Sequence, residues 1–128
     1  MTRSLLCFGD SNTHGTPPME NMSSQGRFGP DVRWPSVMQT KLAPGWTVIE
    51  EGHPGRTTVH DDPIGGMHKN GIRMLPALLE THRPINVIVI MLGTNDLGSY
   101  ENEAETFEYM RQFHEVRVLW GLSLQWQR

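Results

Sequence analysis

Residues Asn86 to Leu92 read Asn-Val-Ile-Val-Ile-Met-Leu, an almost unbroken apolar run. A strand with one face in water alternates polar and apolar side chains, and this one does not. It is therefore expected to be buried on both faces, in a parallel sheet covered by helices. Two other stretches suit the same sheet: Ser4 to Phe8, which carries Leu5-Leu6-Cys7-Phe8, and Trp46 to Glu50. Between these two, Trp34, Val37, Met38 and Leu42 fall at helical spacing. Asp31 is the expected N-cap of that helix, Pro35 suits its first turn, and Ala43-Pro44-Gly45 stops it. A second helix is expected over about Asn70 to Thr81, with Ile72, Leu75, Leu78 and Leu79 inward. Pro76 should kink it or mark a late start. Strand, helix, strand, helix, strand is an α/β pattern with right-handed crossovers.

In open sheets of this kind, reactive groups collect beyond the carboxyl ends of the strands. The first strand runs into Gly9-Asp10-Ser11-Asn12, the second into Glu51-Gly52-His53-Pro54-Gly55-Arg56, and the third into Gly93-Thr94-Asn95-Asp96. Taken alone, each stretch has two readings. Ser11 is either a nucleophile at a tight turn or a cap on the next helix. Gly55 is either a point of close backbone approach or a plain turn glycine. Asn95 is either an uncharged N–H donor or the start of an Asx turn. Asp10 and Asp96 read as structural hydrogen-bonding residues.

The three stretches together resemble the conserved blocks of the GDSL, or SGNH, hydrolases, matching their Ser, Gly and Asn in order. The flanks Arg27-Phe28-Gly29-Pro30-Asp31-Val32-Arg33-Trp34 and Ile90-Met91-Leu92-Gly93 look like the arylesterase and acyltransferase subgroup. The resemblance implies a flavodoxin-like α/β/α sandwich with strand order 2-1-3. It implies a serine esterase acting on short-chain or aryl acyl esters through an acyl-serine intermediate at Ser11, with acyl transfer to alcohols in reach. It assigns three oxyanion donors: the N–H of Ser11, the N–H of Gly55 and the side-chain amide of Asn95. It also suggests homo-oligomers.

The family's fourth block, Asp-x-x-His, does not occur in these 128 residues. The six histidines are His14, His53, His60, His68, His82 and His114. His14 and His53 fall in the loops nearest Ser11 and Gly55, so they are candidates to line a pocket. No base is assigned. The competing reading is a non-catalytic fragment or pseudoenzyme that keeps a carbonyl- or anion-binding pocket. A nucleotide-binding module is disfavoured, because Gly9 to Gly15 lacks both the P-loop lysine and a Gly-x-Gly-x-x-Gly pattern.

Residues 1–97 are expected to form the N-terminal part of one such domain, and residues 98–128 a divergent tail. In the tail, Ser99 caps an expected helix over Glu101 to His114, and Val116 to Leu124 suits a strand. Trp120 and Trp126 near the end suggest a truncated or altered C-terminus, or an oligomer contact. Thr16 to Pro30, rich in proline and glycine, is expected to be a long loop. A net charge of −3 and 37% hydrophobic content describe an ordinary globular chain with no basic stripe for nucleic acid. No apolar run is long enough to span a membrane. Cys7 is the single cysteine, so no internal disulfide forms and the cytoplasm is acceptable. His60, Asp61, Asp62 and His68 fit no strong ligand spacing, so no metal or other cofactor is expected.

Overall fold

The computed structural model describes residues 1–18, 20–21 and 25–97. The tail helix and strand expected after Ser99, with His114, Trp120 and Trp126, lie outside the described residues. By internal contacts the chain divides into two compact units. The first comprises Met1–Pro54 and Ile85–Met91, the second Gly55–Pro84 and the described residues from Leu92 to Leu97.

The first unit holds a three-stranded parallel sheet in the order β2-β1-β3. Its strands are β1 (Arg3–Gly9), β2 (Trp46–Gly52) and β3 (Val87–Met91). The order and direction are those expected from the sequence. In register, Leu6 stands between Ile49 and Ile88, and Phe8 between Glu51 and Ile90. The burial differs from expectation. β1, not β3, is the strand enclosed on both faces: Leu6, Cys7 and Phe8 are fully buried. The residues of β3 are half-buried, and Met91 is 40% exposed. The reason is position. β1 has a hydrogen-bonded neighbour on each side, whereas among the described residues β3 is an edge strand, bonded only to β1. Burial pushes the Cys7 thiol up to about 12, with a further contribution from the Glu50 carboxylate, so it is a packing group rather than a nucleophile.

Helix α1 (Ser11–His14) follows β1, and α2 (Trp34–Leu42) precedes β2. The N-cap of α2 is Arg33, not Asp31, and no side chain caps it. The amides of Val32 and Arg33 both bond to the Gly29 carbonyl, forming a turn. That turn keeps Asp31 outside the helix, and Pro35 fixes the helix start. α2 is tied to β2 by polar side chains as well as by its apolar face. Gln39 donates from Nε2 to the Trp46 carbonyl at 2.9 Å and accepts at Oε1 from the Val48 N–H at 2.7 Å.

In the second unit, Met67–Lys69 form a 3-10 turn and α3 runs Gly71–Thr81. α3 buries Leu75 and Leu79 along one stripe. It continues through Pro76, which costs it the N–H that would have reached the Ile72 carbonyl. Its start is fixed by the chain before it. The amide of Thr57 bonds to the Lys69 carbonyl, and Gly71 and Ile72 bond to the Thr57 and Thr58 carbonyls.

Candidate active site

In the first unit, Asp10 is 2% exposed and accepts from the Asn12 N–H at 2.9 Å. It is the N-cap of α1, so the capping role open to Ser11 in the sequence is already filled. Ser11 is the first residue of α1 and is half-buried. Gly15 ends the helix at φ +86°, a left-handed conformation that glycine adopts without strain. Two glycines let α1 sit against the strand ends. A Cβ on Gly9 would fall 2.0 Å from Thr13 Oγ1, and one on Gly52 would fall 2.2 Å from the His14 nitrogen. The helix that begins with Ser11 therefore requires glycine at both positions.

The block from Arg27 to Trp34 holds this helix from behind. Arg27 Nε donates to the His14 carbonyl at 2.8 Å, and the Phe28 N–H donates to the Gly15 carbonyl at 2.7 Å. Arg33 donates from Nη1 to the Phe28 carbonyl at 2.8 Å and pairs through Nε with Glu50 at 3.1 Å. His14 has its pKa lowered, first by burial and then by the Arg27 charge, although its ring bonds to Gly52. Its carbonyl and its ring thus both have partners in this cluster.

In the second unit, Gly55 and Asn95 come together. Both line an open pocket of about 510 Å³, with Thr57, His60, Asp61 and Asp62. That volume lies in the range of small-molecule sites. Gly55 has φ +78°, so glycine is required there for conformational reasons. Asn95 donates from Nδ2 to the Arg56 carbonyl at 3.0 Å. Asp96, fully buried, accepts from the Thr58 N–H at 3.0 Å and from the Thr58 hydroxyl at 2.5 Å. Consecutive side chains after β3 thus pin Arg56 and Thr58, the loop that follows Gly55. An amide nitrogen carries two hydrogens, and the Arg56 bond fixes the plane in which both lie.

The remaining pocket wall includes Asp61, Asp62 and Pro63, where the sequence showed carboxylates without a strong ligand spacing. It is a turn, and Asp62 bridges Gly66 with a pair of backbone bonds at 3.1 and 2.8 Å. The Asp62 carboxylate takes the N–H of Ile64 at 2.8 Å and that of Gly65. The Gly65 and Ile64 amides hold its pKa below the usual carboxylate value. Asp61 accepts from Asn70 Nδ2 at 2.9 Å and pairs with Arg73 at 3.0 Å. Thr57 Oγ1 donates to the His60 carbonyl at 2.6 Å and accepts from the His60 N–H at 2.9 Å, so His60 is placed on the wall by its own turn. Among the described residues no group of three or more His, Cys, Asp or Glu side chains could hold a metal ion. None of their helices is long and apolar enough to cross a membrane.

The sequence model of the GDSL-like lipase/acylhydrolase family matches residues 7–120. The chain belongs to that family. Solved structures agree with the assignment. The native aryl esterase of M. smegmatis is 39% identical, with a TM-score of 0.82 over 96% of this chain and 56% of that one. Est24, a carbohydrate acetylesterase from Sinorhizobium meliloti, is 38% identical, with a TM-score of 0.81 over 90% of this chain and 54% of that one. A protein described as a putative arylesterase from Agrobacterium tumefaciens is 37% identical, with a TM-score of 0.78 over 90% of this chain and 54% of that one. This member thus spans little more than half the length of these neighbours. No curated protein sequence matches it.

Proposed function

We propose that this chain carries the nucleophile and the oxyanion donors of a serine esterase that cleaves short-chain or aryl acyl esters. Ser11 Oγ attacks the ester carbonyl. The carbonyl oxygen becomes an oxyanion, met by the N–H groups of Ser11 and Gly55 and the amide of Asn95. Collapse expels the alcohol and leaves an acyl-serine, which water or a second alcohol then takes up. One observation supports this most. Asn95 and Asp96 anchor the loop after Gly55, so two of the three donors line one pocket before any substrate arrives, and such preorganisation gives oxyanion stabilisation its effect. The aryl esterase and carbohydrate acetylesterase among the similar structures point to the same chemistry.

A serine hydroxyl needs a base to accept its proton. No Asp-x-x-His occurs in this sequence, and none of its histidines is assigned that role. Hydrolysis of an aryl acetate by the 128-residue chain is therefore expected to be slow. The oxyanion site and binding alone keep about 10³ to 10⁴ over water when the triad is lost. Asn95→Ala should lower that rate by up to about 10²-fold, the low end for one donor, while Ser11→Ala should leave it nearly unchanged. A rate indifferent to Asn95→Ala would favour the non-catalytic reading. A fast rate abolished by Ser11→Ala would show that a histidine of this chain serves as base.

A further inference from the structure

Asn70 stands at the N-cap of α3 and is 4% exposed. Asparagine is favoured at such a position because its side-chain oxygen can accept from the second or third amide of the helix. Here the cap carries no side-chain bond of that kind. The first two amides of α3, those of Gly71 and Ile72, go instead to the Thr57 and Thr58 carbonyls at 3.0 and 2.8 Å. The Asn70 side chain is thereby released from capping. Its Nδ2 donates to the Val59 carbonyl and to Asp61 Oδ1, both at 2.9 Å. Both partners are acceptors, so they decide which way the amide faces. Its Oδ1 is buried with no hydrogen-bond partner among the described residues. An acceptor buried in this way costs stability. The two donated bonds are thus held against a local rule, as happens at functional sites.

One of those bonds ends on the pocket, because Asp61 lines it together with Gly55 and Asn95. Asn70 Nδ2 and Arg73 Nε both reach Asp61 Oδ1, the latter at 3.0 Å. Two groups therefore fix the carboxylate, and they do not exhaust it, since an ionised carboxylate has about four acceptor positions. Arg73 balances its charge, so Asp61 suits a neutral donor better than a cation. We propose that Asn70 is a positioning residue that holds Asp61 as a hydrogen-bond acceptor for a hydroxyl group carried by the ester substrate. The proposal rests on reading this pocket as the ester site, but that reading names no group on the substrate beyond the ester itself. A hydroxyl that donates to a charged acceptor at a half-exposed site gains about tenfold in affinity. Its methyl ether has no hydrogen to donate and gains nothing.

The test is a titration of the ¹⁵N-labelled 128-residue chain, followed through the backbone amide signal of Gly55 and the side-chain amide signals of Asn95. Two pairs of probes separate the sides of the ester. Ethylene glycol monoacetate and its methyl ether place the hydroxyl on the alcohol side, and methyl glycolate and its methyl ether place it on the acyl side. The readout is the ratio of affinities within a pair, because a loosened fold weakens both members alike. The unaltered chain is expected to prefer the hydroxyl member of at least one pair by about tenfold. Asp61→Ala, at a side chain 45% exposed, should bring that ratio close to one. Asn70→Leu keeps the volume, removes both donated bonds and removes the buried Oδ1, and it should lower the ratio severalfold. Asn70→Ser, which retains one donor, should fall between and serves as the test of Asn70 should Asn70→Leu fail to fold. Equal affinities within both pairs for the unaltered chain would overturn the inference and leave the ester reading standing. A ratio unmoved by Asp61→Ala would remove Asp61 as the acceptor. Parallel loss of both members in the Asn70 variants, with the ratio kept, would show that Asn70 is merely structural. Absence of any shift at Gly55 and Asn95 with all four probes would sink the ester reading and the inference together.

Discussion

Asp96 shows how one buried carboxylate sets a site without facing it. It is fully buried and its hydrogen bonds go to the main-chain N–H and hydroxyl of Thr58. Truncating it strands those two donors in a place water does not reach. Buried groups left unpaired in this way cost about 1–3 kcal/mol, and more where the lost partner was charged. Asp96→Ala is therefore expected to destabilise the fold by about 3 kcal/mol, read as a fall in melting temperature. The same substitution should broaden or shift the amide signals of Gly55 and Asn95, because the loop between them loses an anchor. A variant that melts like the unaltered chain would show that Thr58 finds other partners.

At the scale of elements, the packing of α2 on β2 carries a charge cluster that a strand and helix pattern does not reveal. Glu50 lies on β2. Arg33, at the start of α2, reaches it at 3.1 Å, the Ser36 hydroxyl donates to it at 2.8 Å, and Arg27 lies 3.8 Å away. Burial alone would push the Glu50 carboxyl up. The Arg33 and Ser36 hydrogen bonds and the two arginine charges outweigh it and hold the pKa below 4.5. A carboxylate with a depressed folded pKa stabilises the fold fully above its unfolded pKa. That contribution is lost as pH falls through the unfolded value and on through the lower folded one. The expected outcome is a melting temperature that drops between about pH 5 and pH 3, with a shallower drop in Glu50→Gln. Equal slopes in the two proteins would count against it. The sequence made the three strands and both long helices legible, because apolar runs and helical spacing report burial directly. The family resemblance, rather than position beyond a strand, singled out Ser11, Gly55 and Asn95 as candidates, and the last two line one pocket. The sequence could not reveal Glu50 or Asp62 in their hydrogen-bonded settings, since those depend on residues brought close only by folding. The start of α2 was missed for the same reason: the turn over Gly29 to Arg33 overrode the cap that Asp31 offered.

For the molecule as a whole, β3 is the element with most bearing on behaviour in solution. Val87-Ile88-Val89-Ile90-Met91 carries no charge, proline or glycine. Among the described residues it is bonded on one side only, to β1. Backbone N–H and C=O groups along such an edge can pair with another chain, and natural edges are usually blunted by a charge or a proline. Met91 is the exposed side chain of this strand, at 40%, and sits where a charge would serve that purpose. The net charge of −3 gives only weak repulsion between copies. Association that rises with protein concentration is therefore the expected behaviour, seen as growth in apparent mass by light scattering. Met91→Lys should move that growth to higher concentration and leave the far-ultraviolet circular dichroism unchanged, because it adds a charge without removing a buried side chain. A chain that stays monomeric and melts sharply at every concentration would mean that the outer edge of β3 is already covered. In that case Met91→Lys should lower the melting temperature instead, by setting a charge against whatever lies there.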